Sequence, residues 1–193
     1  MTATATPSRL VAAVALTAAL AIAGCGGAAR PHSAGPFAWL RPAAAPADWT
    51  VGRLPSGAAS FAYPAGWRSI RTDPGTFSAA LLGPHHRIRG YLNATPQSGA
   101  ETLDNWSTFR AAHNREEGDR DVVRESAASG LRFPSGTGSC VTDRYATTTN
   151  AHYREIACIV RGAQGTSVIV AAAPPSDWSR LAPQLRRSVA SFG

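Results

Sequence analysis

The stretch SCVTDRYATTTNAHYREIACIVRG, residues 139–162, decides the fold of this chain. Two runs that favour β-strands flank a short polar segment, and this pattern predicts an antiparallel β-hairpin. If the loop is centred near Thr149, the register sets Cys140 directly opposite Cys158. The stretch therefore predicts two paired strands on which a larger antiparallel sheet can be built.

A disulfide between the two opposed cysteines is the first consequence of this register. Directly opposed residues of an antiparallel pair have Cβ atoms close enough to be bridged, and export, which the N-terminal sequence predicts, favours oxidation. In the alternative, Cys140, Cys158 and either His152 or His113 would bind a metal ion. The sequence has no Cys-x-x-Cys or His-x-x-x-His element to complete a tetrahedral set. We therefore predict a disulfide and no metal site.

Two acidic residues meet in the same register. Asp143 falls opposite Glu155, an unfavourable like-charge pair that a one-residue bulge would relieve. Such a pair could serve as general acid and base, but the sequence indicates neither a cleft nor a raised pKa around it. The favoured interpretation is a pair on the strand surface.

The rest of the chain adds strands and helices around the hairpin. In the first predicted helix Ser98 and Glu101 have the spacing of a capping box, and in the second Pro183 must begin or bend the helix. The order of strands, helix, strands and helix predicts an α+β fold with a mainly antiparallel sheet packed against helices. The further predicted strands are 59–67, 76–83, 87–95, 121–127, 130–133 and 166–174, and the predicted helices are 98–118 and 176–192.

Four features of this pattern resemble one known group of proteins. They are FAYPAGW at 61–67, the helix around LDNW at 103–106, the late hairpin, and the closing helix with its spaced Trp, Leu, Val and Phe residues. Together they resemble actinobacterial lipoproteins with the fold of PsbP, the extrinsic photosystem subunit. The resemblance covers roughly residues 57–193 and implies a PsbP-like α/β/α sandwich of the kind that serves as an adaptor or binding subunit. It carries no active-site motif to this chain.

The N-terminus has the anatomy of an export signal. Residues 1–9 contain one positive charge, Arg9, and residues 10–24 contain no charge. At about 1.5 Å per residue the uncharged run spans roughly 22 Å, less than the roughly 30 Å hydrocarbon core of a bilayer. Residues 1–24 are therefore predicted to be a signal peptide rather than a permanent transmembrane helix.

The stretch ALAIAGCGGAAR, residues 19–30, resembles the bacterial lipobox. Ile22, Ala23 and Gly24 stand before Cys25 in the apolar, small, small, Cys order of that signal. The resemblance implies that the Cys25 sulfur receives a diacylglycerol, that the signal is cut before it, and that acyl chains anchor the protein stably. The alternative is an ordinary secretory signal whose cleavage site happens to contain a cysteine.

Small residues dominate the segment after the lipobox. Of the 31 positions from Gly26 to Ser56, 19 are Ala, Pro, Gly or Ser, so residues 25–56 are predicted to be an acylated N-terminus and tether before a single domain at 57–193. As a flexible coil such a tether would reach roughly 30 Å. Phe37, Trp39, Leu40 and Trp49 complicate this prediction, and whether residues 37–54 dock on the domain stays open.

Charge and composition limit the partners. The chain carries 19 Arg and Lys residues against 12 Asp and Glu, and the arginines are dispersed, which is typical of a solvated surface. We expect contact with the cell membrane through the lipid anchor, and with an envelope protein, anionic lipid or cell-wall polymer as a possible further partner. Export argues against nucleic acid, and no cofactor is predicted.

Two functional hypotheses follow for the extracytoplasmic face of the cell membrane. The first is a lipid-anchored, non-catalytic binding or adaptor module of the envelope, since the sequence shows no assembled catalytic constellation. The alternative is an envelope hydrolase with a serine or carboxylate site. That alternative requires Ser135, His152 or His113, and an acid to converge within hydrogen-bond reach.

Overall fold

A computed structural model describes residues 35–193 of the chain. Within this part neither helix has the length and apolar composition that crossing a membrane requires. The elements in chain order are β1 (Thr50–Arg53), β2 (Ser60–Tyr63), β3 (Arg68–Ile70), β4 (Phe77–Leu82), β5 (Ile88–Pro96), α1 (Trp106–Glu116), β6 (Arg120–Phe133), β7 (Gly136–Ala146), β8 (His152–Gly162), β9 (Gly165–Ala173) and α2 (Pro175–Ala190).

Seven of these strands form one sheet in the order β3-β4-β5-β9-β8-β7-β6, and β1 and β2 form a separate two-stranded sheet. Every pairing in the described part is antiparallel. The strands of the late hairpin, β7 and β8, therefore lie inside the large sheet, and β9 joins them to the earlier strands. The predicted α+β fold with a mainly antiparallel sheet is confirmed.

Helices cover both faces of the large sheet. On one face α2 buries Leu181, Leu185 and Val189 against alternate residues of the strands. On the other face α1 buries Trp106, whose indole N–H donates to the Ala157 carbonyl at 2.9 Å. Because strand side chains alternate between faces, the two helices use different residues of β7 and β8, and the result is the α/β/α sandwich that the resemblance implied.

The hairpin has the register that its sequence predicts. Cys140 pairs with Cys158, and the ladder runs from Gly136 opposite Gly162 to Ala146 opposite His152 without a shift. A disulfide joins the two cysteines and lies buried on the α2 face of the sheet. The bulge considered for the opposed acids does not form.

The first helix begins later than predicted, at Trp106 rather than near Ser98. Half of the predicted capping box is present, since the Ser98 N–H donates to the Glu101 carboxylate at 2.8 Å. The Thr102 N–H then donates to the Asn105 side chain at 2.7 Å. These local side-chain bonds satisfy backbone groups without a helix, so residues 98–105 form a turn that leads into α1.

One long strand replaces the two short strands predicted at 121–127 and 130–133. β6 runs from Arg120 to Phe133 and shifts register against β7 at three places. Asp121 and Gly130 have φ values of 54° and 67° at two of these irregularities. The small residues that suggested a break instead accommodate bulges within a continuous strand.

Much of the predicted tether packs on the domain. Phe37, Leu40 and Leu54 are buried in the main core, β1 pairs with β2, and the Ala43 N–H donates to the Ala190 carbonyl at 3.1 Å. The boundary predicted at residue 57 is therefore too late, because the burial of large apolar side chains outweighs the small-residue composition around them. Cys25 and the predicted signal at 1–24 lie outside the described residues.

Candidate functional site

The opposed acids of the hairpin lie beneath α1. Asp143 and Glu155 are directly paired, and each has 0% of its surface exposed. The prediction of a pair on the strand surface is wrong, because α1 packs over β7 and β8 at this point and removes both carboxylates from water. That cover comes from a distant part of the chain, so the hairpin sequence alone gives no sign of it.

A single arginine from the helix supplies the countercharge. Arg110 Nε donates to Glu155 Oε1 at 2.8 Å and Arg110 Nη2 donates to Glu155 Oε2 at 2.9 Å, which is a bidentate ion pair. The Asn114 side-chain amide stands 3.5 Å from the same Oε1. Bidentate geometry and additional hydrogen bonds are what a buried ion pair needs to offset the cost of desolvation.

Asp143, in contrast to Glu155, has no arginine or amide donor bound to its carboxylate in the described part of the chain. Neither of its carboxylate oxygens has a hydrogen-bond partner among the described residues, and the Asn114 Oδ1 is likewise buried without one. Burial, and after it the charge of Glu155, raise the pKa of Asp143 to about 7, while Arg110 acts in the opposite direction. The sequence indicated no raised pKa here, and the structure corrects this. Asp143 therefore retains its proton at mildly acidic pH.

This cluster is a structural element rather than an accessible catalytic pair. A general acid or base must come within hydrogen-bond reach of the substrate atom whose proton it moves. Both carboxylates are fully covered by α1 and the sheet, and one of them is committed to Arg110. In this conformation a substrate cannot reach either oxygen pair.

The residues of the serine hydrolase hypothesis lie far apart. Ser135 sits in the turn before β7 and lines a cavity of about 640 Å³ that has no histidine or acidic side chain in its wall. His152 pairs with Ala146 at the other end of β7, so on the order of 30 Å of strand separates it from Ser135. His113 lies on α1, where its Nε2 is 3.2 Å from Glu117. The structure does not bring these groups together.

A second feature, which the sequence did not predict, lies where the N-terminal segment meets α2. We call it the arginine cleft, a cavity of about 190 Å³ whose wall combines two tryptophans, two arginines and one acid. Its lining residues are Pro36, Trp39, Glu125, Ser126, Thr142, Arg154, Ile156, Trp178 and Arg186.

Each arginine of the cleft stacks on a tryptophan. The Arg186 guanidinium carbon lies 5.4 Å from the centre of the Trp39 ring, and the Arg154 guanidinium carbon lies 4.9 Å from that of Trp178. Both distances fall within the range of cation–π attraction. The stacking fixes the two guanidinium groups at the wall, and the edge of Arg186 stays available for hydrogen bonds.

The charges around the cleft are unequal. Glu125 is neutralised by Arg154, whose Nε donates to it at 2.6 Å, and Arg144 stands 4.0 Å from the same carboxylate. Arg41 and Arg186 form no ion pair with any acid in the described part of the chain. The wall of the cleft therefore carries one arginine, Arg186, whose charge no acid of the described part offsets.

Sequence reasoning missed this cleft because its lining residues come from five separate segments of the chain. The one available signal was Trp39, whose bulk did not fit a tether. Nothing in local spacing places Trp39 beside Arg186, or Arg154 beside Trp178. The first pairing requires the N-terminal segment to pack along α2, and the second requires α2 to pack on β8.

Comparison with known proteins supports the fold. No protein-family model and no curated protein matches the sequence. The solution structure of the cyanobacterial PsbP protein CyanoP from Synechocystis sp. PCC 6803 is similar over 77% of this chain and 93% of its own, with 14% identity and a TM-score of 0.54. LpqN, described as involved in cell envelope biogenesis of Mycobacterium tuberculosis, shares 12% identity over 75% of this chain and 82% of its own, with a TM-score of 0.39.

The sheet, its two helical layers and the likeness to CyanoP define a protein with a PsbP-like α+β fold. At this level of identity the likeness shows the fold and carries no function with it.

Proposed function

We propose that the protein is a lipid-anchored, extracytoplasmic binding or adaptor module of the bacterial cell envelope and that it is not an enzyme. The observation that carries the proposal is the lipobox-like run ending at Cys25, ten residues before the first described residue of the folded domain. Acylation at this cysteine would attach a compact domain to the outer face of the membrane.

The buried disulfide supports the location. Disulfides persist in exported proteins and are rare in reducing compartments. Cys140 and Cys158 are the only cysteines besides Cys25, and they are joined inside the core. One cysteine is thus left for acylation and the other two are used structurally.

The placement of polar groups supports a binding role. Ser135 and His152 stand at opposite ends of β7, and the acid pair under α1 is sealed from solvent. The arginine cleft, in contrast, is open at the surface and presents fixed donors beside aromatic rings. Such a wall is suited to holding a ligand.

Metabolic labelling tests the proposal. Cells expressing the full chain are fed a labelled fatty acid, and the wild type is compared with Cys25→Ser and with the control Ser33→Ala in the same segment. We expect label and membrane fractionation in the wild type and in Ser33→Ala, and neither label nor signal cleavage in Cys25→Ser. A wild-type protein that never incorporates the label would refute the anchor.

A further inference from the structure

We propose that the arginine cleft is the surface through which the domain docks on the membrane, and that it receives the phosphate group of an anionic lipid. The proposal rests on the proposed function, because it takes Cys25 to be the point of attachment. It goes further by naming the face of the domain that meets the bilayer and the lipid chemistry that this face recognises.

The length of chain before the cleft carries the first step. Pro36 lines the cleft and follows Cys25 by eleven residues, which span at most about 40 Å when fully extended. A domain of this size has a radius on the order of 20 Å, so a chain passing round to the opposite face needs roughly 60 Å. The face that contains Pro36 therefore stays on the membrane side.

The packing of the N-terminal segment on the domain creates this restriction. If residues 25–56 were all tether, the attachment would allow up to about 110 Å and every face could reach the bilayer. Burial of Phe37 and Leu40 against the core removes most of that length. The same packing brings Trp39 against Arg186, so one event both shortens the attachment and builds the cleft.

The chemistry of the cleft carries the second step. Arg186 lines the cleft, and the exposed Arg41 follows the lining residue Trp39 by two positions in the sequence. Neither arginine has an acidic partner in the described part, and guanidinium groups bind phosphate oxygens through paired hydrogen bonds. Tryptophan is favoured at the boundary between lipid and water. The cavity of about 190 Å³ equals the liquid volume of about six water molecules, which accommodates a phosphate group.

Vesicle binding by a chain without the anchor tests the surface separately from the anchor. The chain of residues 26–193 contains every described residue and lacks Cys25. Its partitioning is measured on vesicles of phosphatidylcholine alone and of phosphatidylcholine mixed with phosphatidylglycerol. Fatty-acid labelling of Cys25 does not enter this measurement, so failure of the anchor and failure of the docking surface give different results.

A matched pair of double variants tests whether the arginine cleft is the surface that meets the membrane. Arg41→Gln with Arg186→Gln, the cleft pair, removes the charge of the lining residue Arg186 and that of Arg41, two positions after Trp39. Arg68→Gln with Arg71→Gln, the β3 pair, removes two exposed charges in and just after β3, the far edge of the sheet. We expect the cleft pair to lower partitioning onto anionic vesicles about 30-fold, since each arginine near the surface contributes about a factor of five. On a docked domain the β3 pair would lie farther from the charged membrane surface than the Debye length of about 8 Å. Its removal should therefore lower partitioning less than about threefold.

Three results would overturn the proposal. Equal losses in the two double variants would mean that net charge alone attracts the domain. Equal binding to neutral and anionic vesicles would remove the phosphate preference. Displacement from anionic vesicles by inorganic phosphate, but not by sodium chloride of the same ionic strength, would make the cleft a site for soluble phosphate instead. Circular dichroism of each variant verifies that it is folded.

Discussion

Asp143 is held where its charged form has no partner. The register of the hairpin places it against Glu155, and the one arginine between sheet and helix is committed to Glu155. The other charged groups around it are Arg124 and Glu125 on β6, which oppose each other in their effect on its pKa. The cluster is therefore electrically balanced only while Asp143 keeps its proton.

This residue predicts how stability depends on pH. The pKa of Asp143 rises from 3.8 to about 7 on folding, so between these values the folded protein holds a proton that the unfolded chain has lost. Stability gained from that proton is greatest at the acidic end of the window and disappears as pH rises through 7. We expect the free energy of unfolding, measured with urea between about pH 5 and pH 8, to fall as pH rises.

The variant Asp143→Asn isolates this effect, because the amide keeps the shape and cannot lose a proton. We expect its unfolding free energy to be flatter over the same pH range than that of the wild type, and to exceed the wild-type value at the alkaline end. Asp104→Asn, at an exposed position, is the control and should follow the wild type. Parallel curves for Asp143→Asn and the wild type would show that another group causes the slope.

At the scale of elements, the hairpin of β7 and β8 could be predicted from the sequence, but the packing of α1 over it could not. Alternation of side chains and a central turn are local properties, so they give the register of β7 and β8 and the position of the disulfide. The burial of the acid pair depends on α1, and the burial of Phe37 depends on α2. Both are contacts between distant parts of the chain, for which the local pattern carries no information.

The disulfide provides a prediction for β7 and β8. It closes a loop between residues 18 apart in sequence, for which the loss of chain entropy in the unfolded state is worth about 3 kcal/mol. We expect Cys140→Ala with Cys158→Ala, in the chain of residues 26–193, to lower the free energy of unfolding by about that amount. A reductant should destabilise the wild type and leave the double variant unchanged; free thiols at both positions in the untreated wild type would contradict the prediction.

The N-terminal segment provides a second prediction at this scale. Phe37 is 4% exposed and packs in the main core, so Phe37→Ala should cost about 3–5 kcal/mol of stability in urea unfolding. Val51, in the same region of the sequence, is 47% exposed, and Val51→Ala should cost less than about 0.5 kcal/mol. Equal and small effects of both substitutions would mean that the segment behaves as the tether its composition suggested.

At the scale of the whole molecule, the sequence predicted the class of fold, which the structure confirms, and the structure adds the arginine cleft. The order of strands and helices was enough for an α+β sandwich because each element has its own hydrophobic period. The arginine cleft could not be predicted, since Trp39, Arg154, Trp178 and Arg186 meet only in the folded chain. The predicted domain boundary at residue 57 was too late for a related reason. The many small residues around Phe37 suggested a tether, although this segment packs on the core.

The proposed function depends above all on an acylated Cys25 that holds the domain at the outer face of the membrane. The most direct measurement is mass spectrometry of the N-terminal peptide of the protein purified from the membrane fraction of its host. We expect a peptide that begins at Cys25 and carries the added mass of a diacylglycerol on its sulfur. A mature chain that begins elsewhere, or one with a free thiol at Cys25, would contradict it.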